Sequence, residues 1–447
     1  MSWAERKRAE LLAKLHGIEM ELAFWRTQAR AGGQLEKHQS QIDRLVDQLQ
    51  PVAALVIAEI NTADLGGDWP TLEKQVLDLH RIWQFFREKL ALRFVDHFRD
   101  YLLAADEFAW ACYRPAQQVL VAAGTLDRSA VKEPPLVCFS SAASPFSIPR
   151  GVSYRAELEG GSPRDQAARE IVESLPIPVV GVPWHQLQHL PDALVLGHEV
   201  GHVVEGDARL EGHIRQLILD AVRTVDEPYG TQNDWQRWSS EAFADIYGAL
   251  CGGPAFGSAL GDFLLVPTGR SSTGAGEYPP ADVRIALVIG ALRAAEADVP
   301  GGSADALQRL EERWLEEGVE AHRARETSAV ATAIVNCRYP QFGGSRLADV
   351  VRFDGKQMRT TAQALLNGDP IATRDTRTLM AAAAWAYADK PQNYQAVKVP
   401  DRVLRRVRDI VEPGVRTTHA IRTEERARAD AQAASKLHAL LVQGSLA

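Results

Sequence analysis

Cysteine is scarce in this chain: four residues in 447, Cys112, Cys138, Cys251 and Cys337, lie far apart and form no Cys-x-x-Cys pair. That spacing excludes a zinc ribbon and offers no disulfide framework, so the thiols read as buried or incidental. Positive charge is not in excess either. The formal net charge is −8 and the isoelectric point is near 5.9, which argues against a protein whose main work is wrapping nucleic acid. Long apolar runs are also missing: "ALVIGAL" is bounded by Arg284 and Arg293, far short of the ~18–20 residues that span a bilayer. The opening "MSWAERKRAELLAKL" is charged throughout and lacks the apolar segment of a secretory signal. We therefore expect a cytoplasmic protein with neither a membrane nor a nucleic-acid partner. "VPTGRSSTGAGE" at 266–277 is rich in Gly, Ser and Thr but lacks the lysine of a phosphate loop. It is expected as a loop at the mouth of a cleft.

The length allows two or three domains, or one large domain with helical additions. Leu11, Leu15, Ile18, Leu22 and Trp25 recur at helical spacing, and after "AGGQ" the pattern resumes at His38, Ile42, Leu45 and Leu49. Residues 3–50 are thus predicted as an antiparallel helical hairpin. A third helical region over 72–120 is expected to break at Pro115. From 134 to 149 the texture changes to "PPLVCFSSAASPFSIP", which suits strand and loop. "PIPVVGVPW" at 176–184 is a second extended burst, in which Pro183 points to an edge strand or its end. Helices are expected again after 191, including 304–315, 359–366, 376–387, 402–410 and 420–442. The fold class expected is mainly α with a small β-sheet (α+β), in three segments: a helical region at 1–120, a core at 121–300 and a helical region at 301–447.

One stretch needs a chemical explanation. "ALVLGHEVGHVVEGD" at 193–207 sets two histidines and a glutamate in an apolar run, and buried polar groups without partners are costly. On a helix, His198 and His202 lie one turn apart on one face, with Glu199 rotated to the flank. Two neutral imidazoles can hold one Zn²⁺, while the glutamate, too far round to ligate, serves as general base toward a zinc-activated water. Aspartate at 199 would fall about one methylene short.

A hydrolytic zinc needs a third protein ligand and an open position. The nearest downstream histidine, His213, does not fit the metzincin spacing, where positions 205 and 208 are here Glu and Ala. "WSSEAFADIYGAL" at 238–250 is the better source: Ser239 or Ser240 could cap a helix, and Glu241 and Asp245 stand four apart on one face. Glu241 would complete the ligand set for one Zn²⁺ per chain. Asp245 would accept the outer N–H of a ligating histidine, His198 in the first instance.

"HEVGH" followed by "EAFAD" resembles the gluzincin clan of zinc metallopeptidases, the thermolysin-like clan in which one helix bears His-Glu-x-x-His and a second Glu-x-x-x-Asp. The resemblance covers about 176–290 and implies a zincin-like core, with His198, His202 and Glu241 as metal ligands, Glu199 as general base and Asp245 behind the ligands. It also implies an edge strand upstream of the first helix that pairs with extended substrate, a role "PVVGV" at 178–182 could fill. The separation of His202 from Glu241, 241 − 202 = 39 positions, exceeds that of thermolysin-like enzymes, so an insertion containing "EPYGTQNDW" is expected. No Gly-x-Met-Glu-Asn motif is present, which counts against the aminopeptidase branch.

Peptide hydrolysis also needs a donor toward the developing oxyanion. "GEYPPADVRIAL" is similar to the His-Pro…Arg segment of the CaaX-prenyl and HtpX-type gluzincins, with Tyr278 in place of histidine. Tyr278 could then donate a hydrogen bond, and Arg284 could hold Glu241 or a substrate carboxylate. The basic run "DRVLRRVRD" at 401–409 reads as a solvated helix face or as a surface for an acidic partner. The function expected is a soluble zinc metallopeptidase, an endopeptidase acting on protein or peptide, with the helical flanks available to a protein partner. The alternative is a zinc-stabilised helical scaffold without proteolytic activity.

Overall fold

The computed structural model describes residues 1–127, 131–142, 144–148, 177–187, 189–225, 231–264, 278–296, 304–314, 321–412, 414, 416 and 424–445. The loop expected at 266–277 lies outside them. Four long helices come first, α1 (Trp3–Gln28), α2 (Gln39–Thr62), α3 (Trp69–Ala91) and α4 (Asp96–Ala122). Three strands follow, β1 (Leu136–Ser140), β2 (Phe146–Ile148) and β3 (Val179–Pro183). Next are α5 (Leu196–Asp207), α6 (Glu211–Arg223), α7 (Thr231–Arg237), α8 (Ser239–Leu264), α9 (Ala281–Glu296), α10 (Ala304–Trp314) and α11 (Ala321–Asn336). A two-residue hairpin ladder, Arg338–Tyr339 with Ser345–Arg346, precedes α12 (Gly355–Asn367), α13 (Thr376–Asp389), α14 (Val399–Ile410) and α15 (Glu424–Ser445). The protein is mainly helical with a small sheet. No helix among the described residues is long and apolar enough to cross a membrane.

The helical hairpin at the N-terminus forms, but the helical region that follows does not break at Pro115. The interruption falls earlier, at a 3₁₀ turn over Leu92–Phe94, and Pro115 lies inside α4. Proline removes one helical hydrogen bond and costs about 3 kcal/mol. Burial of Phe108, Cys112, Tyr113, Ala116 and Leu120 on the same helix, at ~1.5–3 kcal/mol for each large apolar side chain, outweighs that.

The sheet order is β1-β3-β2, with β1 parallel and β2 antiparallel to β3. This corrects the expectation for 178–182: "PVVGV" belongs to the central strand and cannot offer an edge to a substrate. Its apolar run is explained by burial on both faces. Pro183 is tolerated because it is the last residue of the strand. Among the described residues the outer strand beside the first motif helix is instead β2.

Two groups of buried side chains cut across the three segments of the sequence. One unites α1–α3 with the C-terminal α15 and one face of the sheet, through Leu136, Cys138 and Val179. The other gathers α4, α5, α8, α9 and α11–α14 on the opposite face, through Val137, Val180 and Val182. Strand alternation therefore sends successive residues into different cores. The basic run on α14 is partly internal: Arg402 donates to Leu365 O at 2.6 Å and Arg406 to Thr373 O at 3.0 Å. These two cations hold carbonyls at and beyond the end of α12 rather than a solvated face.

Candidate metal centre and its cleft

The site depends first on how closely two helices approach. On α5, Gly197 and Gly201 each immediately precede a histidine. A Cβ at Gly201 would lie 2.9 Å from Ala244 Cα, and one at Gly197 would lie 3.3 Å from Gly248 Cα, both on α8. Two four-residue ladders of small residues thus meet backbone to backbone, and the residues beside them, His198 and His202 facing Glu241 and Asp245, are forced to converge. The helices within the 39-position separation of His202 and Glu241, α6 and α7, leave and return without parting this contact; within "EPYGTQNDW", residues 227–230 lie outside the described residues.

At the convergence His198 Nε2 lies 3.2 Å from His202 Nε2 and 3.3 Å from Glu241 Oε2, and His202 Nε2 lies 3.4 Å from Glu241 Oε1. Two ligand atoms on a tetrahedral zinc, at bonds of about 2.0–2.1 Å, stand ~3.3–3.4 Å apart. The imidazole pair and the carboxylate oxygen nearer each imidazole stand at such separations, with the two Glu241 contacts running to different oxygens, and the three side chains form a group that could hold a metal ion. Among the described residues Glu241 Oε2 is buried and meets no well-aligned hydrogen-bond donor, with His198 Nε2 at 3.3 Å and Arg284 Nη2 at 3.9 Å its nearest cationic groups; a cation between the donor atoms would answer it. No other group of His, Cys, Asp and Glu among the described residues meets the requirements for a metal. His213 is elsewhere, with Nε2 3.4 Å from Cys337 Sγ.

Both imidazoles are held from behind. Asp245 Oδ1 lies 2.8 Å from His198 Nδ1, and Arg284 grips the same carboxylate through Nε to Oδ2 and Nη2 to Oδ1, each at 2.7 Å. Burial alone would raise the Asp245 pKa, but the Arg284 guanidinium and the imidazole hold it below the usual carboxylate range. His198 responds in the opposite sense: burial would lower its pKa, while Asp245 and then Glu241 raise it, to about 10. An environment that favours an imidazolium this strongly also favours a metal cation at Nε2. Glu241, despite burial, is held low by the two imidazoles.

His202 is backed differently, by Ser240, which the sequence offered only as a helix cap, and by Glu205, to which it assigned no role. Its Nδ1 lies 3.1 Å from Ser240 Oγ, and Ser240 donates its hydroxyl hydrogen to Glu205 Oε2. Ser240 therefore acts inside the site rather than as a helix cap. The signal was present in spacing, since Glu205 follows His202 by three residues and shares its face.

The triad sits in a cleft of about 670 Å³ lined by Glu199, Glu205, Glu211, Tyr278 and Arg284, with Ser144–Ser147 of the β2 segment opposite. Glu199 is buried at the cleft wall, outside the donor triangle, whereas Tyr278 is 59% exposed at the rim. Arg284 is buried with its fork engaged by Asp245; Nη2 is 3.9 Å from Glu241 Oε2. Its main contact is Asp245, and the hold on Glu241 considered for it is the longer of its ion pairs. Comparisons with protein-family models, curated proteins and solved structures return no match for this chain.

Proposed function

We propose that the protein is a zinc-dependent peptide hydrolase, an endopeptidase, holding one Zn²⁺ through His198, His202 and Glu241. The observation that carries the reading is the convergence of three side chains at the wall of an open cleft, with the two imidazole Nε2 atoms 3.2 Å apart and one oxygen of the Glu241 carboxylate 3.3–3.4 Å from each. When bound, zinc would supply Lewis acidity toward water and the scissile carbonyl. Glu199, one residue after a ligand and facing the same cleft, would take the proton from the attacking water and deliver it to the leaving amine. Tyr278 at the rim would donate a hydrogen bond to the substrate oxygen, and Arg284 would keep Asp245 aligned behind His198. Among the described residues no strand pairs with the outer edge of β2, so an extended peptide could add there antiparallel to it. A purely structural ion has no use for a buried Glu199 beside its ligands or for an open cleft, which is why the scaffold alternative is the weaker reading.

Metal analysis of the purified protein should give one zinc per chain. Glu199→Gln should retain that zinc and lose hydrolysis of an unfolded, fluorescently labelled protein by about 10²–10⁴-fold. Equal rates for variant and parent would reject the mechanism. Full zinc occupancy in His202→Ala would remove that histidine from the ligand set.

A further inference from the structure

We propose that Ser240 and Glu205 form a positioning relay for His202, fixing which of its ring nitrogens carries hydrogen; the inference rests on the metal-site reading above. The direction of the relay follows from hydrogen counting. Burial raises the Glu205 pKa above its ordinary value, against the lowering by the Ser240 hydroxyl and His202; serine has one hydroxyl hydrogen, and in its ionised form the carboxylate can only accept it. With that hydrogen given to Glu205 Oε2, Ser240 Oγ can only accept from His202 Nδ1, 3.1 Å away. The Nδ1 of His202 is then the protonated nitrogen, and Nε2 turns its lone pair to the point shared with His198 and Glu241. A serine alone would not secure this. It could equally rotate and donate to Nδ1, leaving the hydrogen on Nε2, where it would block a ligand bond. The ionised carboxylate behind it, which accepts the hydroxyl hydrogen, opposes that rotation.

The relay also explains an otherwise wasteful burial. Glu205 is only 3% exposed, and among the described residues Ser240 is the sole hydrogen-bond donor to its carboxylate. One neutral hydroxyl is poor compensation for a buried carboxylate. A cation at His202 Nε2 polarises the ring, and the relay carries that polarisation back to Glu205. The two ligating histidines thus have unlike supports: Asp245 clamped by Arg284 behind His198, and a serine steered by a glutamate behind His202.

The test measures zinc affinity by competition with a chromophoric chelator. Ser240→Ala and Glu205→Gln should each weaken binding about 10–100-fold, as loss of a ligand's orienting partner does. Glutamine can donate to the serine oxygen and so frees it to turn, although it fills nearly the same space. Ser240→Thr, which keeps the hydroxyl, should retain parental affinity, and the double variant should be no weaker than Ser240→Ala alone, because the two act in series. Ser240→Ala leaves the buried Glu205 carboxylate without its donor and should lower the metal-free thermal midpoint, so Glu205→Gln carries the distinction: its metal-free midpoint should stay near the parent's while its zinc affinity falls, whereas a merely structural pair would lose stability and keep parental affinity. Parental affinity in Ser240→Ala and Glu205→Gln, with Asp245→Asn weakened, would overturn the relay while leaving the metal site standing. Failure of the parent itself to bind zinc would instead overturn the reading on which the relay rests.

Discussion

Among the described residues a buried His–Asp–Arg cluster occurs twice, with different ends. In the first, Arg93 Nη2 reaches Asp106 Oδ1 at 2.8 Å, and Asp106 Oδ2 lies 3.1 Å from His38 Nε2. The other His38 nitrogen is 2.6 Å from Gln41 Oε1, and Arg93 also donates to Val137 O. Every group turns inward, and the result ties α2 to α4 and β1 where the two cores meet. In the second, Arg284, Asp245 and His198 repeat the pattern, but the far nitrogen of His198 faces His202 and Glu241 at a cleft. The difference shows that burial and ion pairing do not make a functional site. What separates the two is whether the last donor atom is satisfied by the protein or left pointing, with others, at a shared point.

Removing the aspartate from each cluster gives the sharpest contrast. Asp106→Ala should cost about 3–5 kcal/mol, because it strands the buried Arg93 guanidinium. Urea denaturation should register that loss, and zinc binding by the folded fraction should be unchanged. A loss below about 1 kcal/mol would mean the cluster relaxes or hydrates. Any change in zinc affinity would contradict the separation of the clusters.

A smaller effect tests what brings the second cluster to an open end. Gly201→Ala would help an isolated helix by about 1 kcal/mol, yet its Cβ would stand 2.9 Å from Ala244 Cα and 3.1 Å from Tyr247 Cβ. We expect a net loss of about 1–3 kcal/mol from overpacking, together with weaker zinc binding as α5 and α8 separate. A stabilised variant with unchanged zinc affinity would show that the glycine contact does not set the triangle.

That contact also marks where sequence stopped being informative. Helical spacing alone placed His198 with His202 and Glu241 with Asp245 on shared faces, because a four-residue interval is a local property of one helix. It could not tell which face of α8 meets α5, since that choice lies in Gly197, Gly201, Ala244 and Gly248, whose small size is informative only once the partner is known. The same limit explains the strands. Apolar character in "PVVGV" signalled an extended segment, but central or edge position depends on β1 and β2, both distant in sequence. Ser240 was legible as a polar residue at a helix start and not as part of a relay, because Glu205 reaches it across the helix interface.

Acidity separates the clusters by the least amount and with a defined sign. In the metal-free protein His198, raised to about 10, is protonated at neutral pH, so zinc must displace a proton. Its contribution to metal-free stability is full below the unfolded-state value near ~6.5 and is lost as pH rises through about 10. Zinc affinity should therefore rise by up to about tenfold per pH unit between roughly pH 7 and 9 on account of this one group, a difference of ~1.4 kcal/mol per unit. Asp245→Asn removes the charge that raises His198 most, so the variant should bind less tightly and also lose most of that slope. His38→Gln, in the closed cluster, should leave the slope intact. A parent whose zinc affinity is flat across this interval would mean that Asp245 and Glu241 do not hold a proton on His198, and the electrostatic likeness between imidazolium and metal at this nitrogen would fail.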